Sequence, residues 1–318
     1  MPAADPIRPG EVVALPHSPR VVAAGLTVGV AAVAISAILT RWALEGAEPL
    51  AISFWRTFAG ALALAPAAAR HRRRNGPLSS ARRRQIGASG AFLGLHFALW
   101  LTSLELTTVA SSVTLVTMSP IFVALGTRRF LAEHVSRRTV VGMTVAMAGA
   151  VAIGLADGIE VDLGARALAG DALAFAGALA VAGYLVLGRA VRRDVAISRY
   201  ASGTYAVAAG ILLLSCVIAR VPLIGFDART WWAIAGIVVG PQLLGHTIFN
   251  TLLATVPPTT VSVVVLAEPV GATLLAWLLL SELPAPLFWA AAPLVLLGVA
   301  VATSGRGIAS EPNADHDR

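Results

Sequence analysis

Runs of about 20 apolar residues, the length that crosses a bilayer core about 30 Å thick, recur from one end of this 318-residue chain to the other. In lipid every backbone N–H and C=O must be bonded inside the protein, which leaves helices and closed barrels. Barrel strands read as alternating segments of about 10 residues. Continuous runs twice that long read as helices. Ten spans are predicted, at 21–41, 49–69, 86–106, 108–127, 138–155, 169–188, 198–219, 231–253, 259–280 and 285–304. Only 13% of the residues are charged and 57% are hydrophobic, whereas a soluble domain carries about 25% charged residues.

One stretch occurs twice. Residues 108–133, TVASSVTLVTMSPIFVALGTRRFLAE, return 149 positions later as PPTTVSVVVLAEPVGATLLAWLLLSE from Pro257 onward. In that register Pro120 falls on Pro269, Glu133 on Glu282 and Gly149 on Gly298. A proline inside an apolar run frees a carbonyl and kinks the helix. Kinked helices at corresponding places in two halves point to a transporter's central site. Pro241, beside Gly240, is a third expected kink. The chain divides into a first half at 21–155 and a second at 169–304. An acidic, glycine-containing linker at 156–168 joins them, and the segments 1–20 and 305–318 are polar.

The net charge is +7, and all 24 basic residues are arginine. A nucleic-acid binder is also basic, but these arginines sit in short loops between apolar runs, where they orient a protein in the membrane. With residue 1 inside, the inner segments hold 19 arginines. The outer ones hold only Arg41, Arg166, Arg220 and Arg229, and Arg56 lies within a span. This bias predicts a multi-pass protein of the bacterial inner membrane, both termini cytoplasmic and no nucleic-acid partner. Five spans per half is odd, so the halves insert with opposite orientation. The loops agree: RRFLAEHVSRR follows the first proline-containing span, and SELPAP, without arginine, follows the second. The expected architecture is therefore an all-α membrane protein of ten transmembrane helices in two inverted five-helix repeats. The N-terminal segment lacks the order of a cleaved signal peptide. The single Cys216 permits no intramolecular disulfide.

With these features in view, the chain resembles the EamA family of the drug/metabolite transporter superfamily. The resemblance rests on FWRTFAGALAL (54–64), SSVTLVTMSPIFVAL (111–125) with Glu133 after it, and VSVVVLAEPVGATLLAWLLLSE (261–282). It covers about 21–304. It implies a secondary transporter: many members export amino acids or other small metabolites, and some import. One departure stands out. Members usually begin their first helix with a Trp-Gly-Asn-type motif, where this chain reads GVAAVAISAILTRWA.

Polar side chains at membrane depth usually face a wet cavity or the bundle interior. Arg56 lies about seven residues, or roughly 10 Å, inside its span; it either holds a carboxylate or ties helix ends together. His96 and His246 sit 24 and 23 residues before the paired prolines, and Trp100 and Asn250 follow each by one helical turn. Together with Gln242 they are the expected substrate-binding set, unless they serve as interhelical hydrogen bonds. Glu268, directly before Pro269, is the one acid at midplane depth. It is expected to act with Arg56 in coupling or gating, or else to hydrogen-bond the broken helix. Glu105 reads as interfacial.

The string GASGAFLG (87–94) fits the serine motif of rhomboid proteases, but a nucleophilic serine needs a base within reach, and close helix packing by small residues explains the string better. No enzymatic activity is expected. No GxxxxGK[ST] string occurs, and neither a cofactor nor a metal is expected. Gly142, Ala146, Ala150 and Gly154 recur every fourth residue, echoed by Gly298 and Ala302; they suit close helix packing within the chain or across a homodimer. Gly149 lies off that stripe and is expected to accept leucine better than Ala146 does. The expected function is alternating-access export of a small metabolite, with import, or a non-transporting scaffold or sensor, as the alternatives.

Overall fold

The computed structural model describes residues 18–107, 109–156 and 164–304. Most of the expected N-terminal segment, most of the linker and the tail lie outside the described residues. In the first half run α1 (Pro19–Ala34), α2 (Ser36–Leu44), α3 (Pro49–Asn75), α4 (Ser80–Leu106), α5 (Val109–Val116), α6 (Ser119–Phe130) and α7 (Arg137–Ala156). The second half has α8 (Ala165–Arg192), α9 (Ile197–Ala219), α10 (Ala228–Ile237), a π-helical stretch (Val238–His246) and α11 (Thr247–Leu252). It closes with α12 (Pro258–Val265), α13 (Glu268–Leu280) and α14 (Pro286–Thr303). There is no strand among the described residues.

Local chemistry sets the helix starts. Pro19, Pro49, Pro120, Pro258, Pro269 and Pro286 each stand in the first turn of a helix, where a missing N–H removes no bond. Ser79 accepts from the Arg82 N–H at 3.2 Å, and Asp227 accepts from the Thr230 N–H at 2.8 Å, each capping a helix N-terminus.

Among the described residues nine helical units are long and apolar enough to cross a membrane. The expected span 108–127 is instead two short helices, α5 and α6, parted at Thr117 and Met118. Pro120 has no N–H for the helix ladder, so the chain ends one helix and starts another. The register-equivalent stretch breaks in the same way, between α12 and α13 at Leu266 and Ala267. Both ends of α5 and α12 differ by 149 residues.

Packing follows the register too. α7 lies against α14 and α3 against α9, each helix beside its own equivalent. α4 packs on α8, and α1 packs on the π stretch and α11 in the corresponding way. At α7 and α14 the contacts are reciprocal. A methyl added at Gly149 would sit 2.7 Å from the Val295 nitrogen, and one at Gly298 would run into the backbone of Ala146. Val295 is the equivalent of Ala146, and Gly298 that of Gly149. Such exchange of equivalent contacts is the mark of a two-fold relation. It also corrects one expectation: Gly149 belongs to the contact face, because a helix of 3.6 residues per turn brings 142, 146 and 149 to one side. The small residues are taken up within the chain. Gly90 and Gly94 do the same for α4, where added methyls would sit 2.6 Å from the Thr204 carbonyl oxygen and 3.1 Å from the Ala208 Cα of α9.

Candidate functional site

The register also lays out the middle of the molecule. Phe97 of α4 and His246 of the π stretch are equivalents, and their rings meet edge to face at 6.0 Å. It is a contact between equivalents, made where the two halves meet. Arg56 stands beside it, with its guanidinium carbon 4.7 Å from the centre of the Phe97 ring. Arg56 Nε donates to Gln242 Oε1 at 3.0 Å. Arginine has donors only, so this bond fixes the amide with its oxygen toward Arg56 and its nitrogen away. Gly60, one turn along α3, makes the approach feasible: a methyl there would stand 3.0 Å from Gln242 Cγ and 3.3 Å from the Tyr205 ring.

The π stretch carries Gln242 and His246. Gly240-Pro241, the third expected kink, does not end the helix. The turn widens instead, and the Gln242 carbonyl accepts from Thr247 Oγ1 at 3.2 Å. Wide turns of this kind often occur at functional sites.

His96 is buried; its Nδ1 is 2.9 Å from the Gly177 carbonyl of α8, and its ring stacks on Trp100 at 5.7 Å. The Trp100 Nε1 donor is buried without a partner. Gln242 Nε2 likewise has no acceptor in bonding geometry, although the Tyr205 side chain is its neighbour. Asn250 differs, for both of its polar atoms are engaged: Tyr184 OH donates to Oδ1 at 2.6 Å, and Nδ2 donates to Tyr205 OH at 3.2 Å.

Glu268 opens α13 and is partly buried. A carboxylate is favoured at a helix N-terminus. Among the described residues it makes no hydrogen bond and no ion pair within 4.0 Å. Arg56 is its nearest cation of note, and the Phe97 ring on which Arg56 rests also meets both histidine rings. Five of the expected residues, Arg56, His96, Gln242, His246 and Glu268, thus fall into one neighbourhood, and Trp100 stacks on its edge. Asn250 stands behind it, bonded to tyrosines. Ser89, the serine of the rhomboid-like string, is paired with Tyr200 OH at 2.7 Å.

Sequence reasoning missed the tyrosines. All three in the chain, Tyr184, Tyr200 and Tyr205, are buried here. The register held a clue, since Tyr205 is the equivalent of Arg56. Arg189 and Arg192 were counted only as inner-loop charges, yet they are buried at the end of α8. Arg192 Nε donates to the Asn250 carbonyl at 2.9 Å, and Arg189 Nη1 to the Leu253 carbonyl at 3.0 Å.

A helical membrane protein of two matching halves, with a polar cluster where they meet, falls in the class of membrane transporters. The sequence model of the EamA-like transporter family matches residues 22–155 and 168–304, one copy in each half, and the chain belongs to that family. Twenty-nine chains of solved structures match it. One, described only as the crystal structure of a protein, is 21% identical, with a TM-score of 0.74 over 90% of this chain and 98% of its own. That likeness shows the fold alone. No curated protein matches the chain.

Proposed function

We propose that this protein is a secondary active transporter exporting a small metabolite, such as an amino acid or a related compound, by alternating access. The observation that carries the proposal is the Phe97–His246 contact between equivalents, with Arg56 and Gln242 beside it. It sets a cationic, donor-rich cluster where the halves meet. Reciprocal contacts between α7 and α14 support an inverted relation: with five spans in each half, α5–α6 counted as one, a two-fold axis lies in the membrane plane. The arginine bias supports cytoplasmic termini in a bacterial inner membrane.

In this reading His96, Trp100, Gln242 and His246 line the substrate site, with unpaired donors on Trp100 and Gln242. Asn250 holds Tyr184 and Tyr205 in place behind them. Arg56 and Glu268 carry coupling: at the start of a broken helix, Glu268 gains and loses a proton as the site faces each side. Pro120 and Pro269 keep the half-helices apart, and Pro241 keeps the π stretch wide.

The test uses proteoliposomes holding wild type or Glu268→Gln, with and without a pH gradient. The substrate is one found by screening cells expressing the protein for survival of toxic amino acids and analogues. Glutamine keeps the shape and the hydrogen bonding but has no proton to release. The variant is expected to equilibrate substrate without concentrating it. A variant that still concentrates substrate in response to the gradient, as wild type does, makes Glu268 structural.

A further inference from the structure

Glu133 and Glu282 are equivalents, and the structure treats them alike in two respects beyond their position. Each is preceded by a non-glycine residue in the left-handed region, Ala132 at φ 54° and Ser281 at φ 57°. Only one other non-glycine residue with positive φ, Arg220, occurs among the described residues. Side chains rarely adopt that conformation, and where it persists the surroundings hold it. The same unusual turn therefore presents a glutamate after α6 and again after α13. Each glutamate also grips an arginine from the end of the equivalent helix in the other half. Glu133 Oε1 accepts from Arg189 Nε at 2.8 Å and from Arg193 Nη2 at 2.5 Å, both at the end of α8. Glu282 accepts from Arg41 in the last turn of α2.

The two ends are not equally strong. The side chains of Glu133 and Arg189 are 18% and 6% exposed, and Arg189 also holds the Leu253 carbonyl just past the end of α11. The side chains of Arg41 and Glu282 are 61% and 46% exposed and make a single contact. Exposed pairs contribute little. Removing one partner of a buried pair strands the other charge.

We infer that Glu133 with Arg189 and Arg193, and Glu282 with Arg41, are two register-equivalent latches closing opposite ends of the transport path, the Glu133 latch being the stronger. This rests on the transport reading above. A path open to one side at a time needs an element at each end that makes in one state and breaks in the other. Two copies of one glutamate turn, each seizing the opposite half, supply it. The glutamates act as gating groups and touch no substrate.

The test reads each end separately and needs no substrate. In a Cys216→Ser background, one reporter is Ser262→Cys, in α12 on the Glu133 side of its break. The other is Ser112→Cys, in α5 on the Glu282 side of its break. Both serines are shielded in this structure. Labelling rates with an impermeant maleimide are measured on inside-out and right-side-out vesicles. Glu133→Gln is expected to raise labelling of Ser262→Cys from the inner face on the order of tenfold without raising that of Ser112→Cys. Arg41→Gln is expected to raise labelling of Ser112→Cys from the outer face about threefold, leaving Ser262→Cys unchanged. A chain that only unfolds exposes both reporters. Unchanged rates in the Glu133 variant, or equal rises at both reporters, overturn the inference. Absence of transport with side-specific labelling intact overturns the transport reading and leaves the latches standing.

Discussion

Gly60 shows how one residue without a side chain positions the site. It lets Gln242 Cγ and the Tyr205 ring lie 3.0 Å and 3.3 Å from where a methyl would be. Gly60→Ala should push Gln242 off Arg56 and slow transport severalfold while membrane expression and thermal stability stay near wild type. Uptake assays beside a melting curve in detergent check this; equal transport by both proteins removes Gln242 from the site. At the N-terminal end of α10, the Thr230 hydroxyl and N–H hold the exposed Asp227 carboxyl below the usual carboxylate range. A carboxyl held lower in the folded state than in the unfolded one stabilises fully above its unfolded value and progressively less as pH falls through its folded one. Asp227→Ala should therefore lower the melting temperature at neutral pH, with the difference closing in strong acid. Arg56 and Glu268 were legible as isolated charges in apolar runs. The tyrosines were not, because a lone tyrosine in an apolar run carries no charge to mark it, and its burial here depends on Asn250 and Ser89 in other helices.

The broken helices were readable at the level of elements, since Pro120 and Pro269 each end a ladder of backbone bonds wherever they stand. Helix lengths were less so. α3 runs on to Asn75 and α4 begins at Ser80, beyond the apolar runs at both places, because arginine is a good helix former and hydropathy does not see it. The π stretch was hidden for another reason: a Gly-Pro pair ordinarily reads as a stop, and here the helix carries on through Pro241 by widening its turn over Val238–His246. At Gly142, Gly149 and Gly298 the backbones of α7 and α14 approach too closely to admit a side chain. Gly298→Leu should destabilise the protein by about 3 kcal/mol or more through overpacking, and Gly149→Leu should be as harmful as Ala146→Leu. Melting of the purified variants in detergent checks the ranking; a tolerated leucine at Gly149 contradicts the contact face.

Across the whole molecule the sequence repeat and the packing agree: equivalent helices of the two halves lie against each other. The register of 149 residues, found in one stretch, extends to Phe97 and His246 at the centre and to Glu133 and Glu282 at the ends. The proposed orientation rests on this register together with the arginines. Leu78→Cys in a Cys216→Ser background should be labelled by an impermeant maleimide only after the cells are opened. Labelling of that position on intact cells reverses the orientation.

The central claim is that a solute crosses the membrane at the Arg56 cluster. The direct measurement loads cells with radiolabelled amino acids, one at a time, and follows their loss with the protein present, absent or carrying Arg56→Ala at equal membrane level. The account predicts that at least one leaves faster with wild type, and that Arg56→Ala removes most of that difference. Equal loss in all three, for every solute tried, contradicts it.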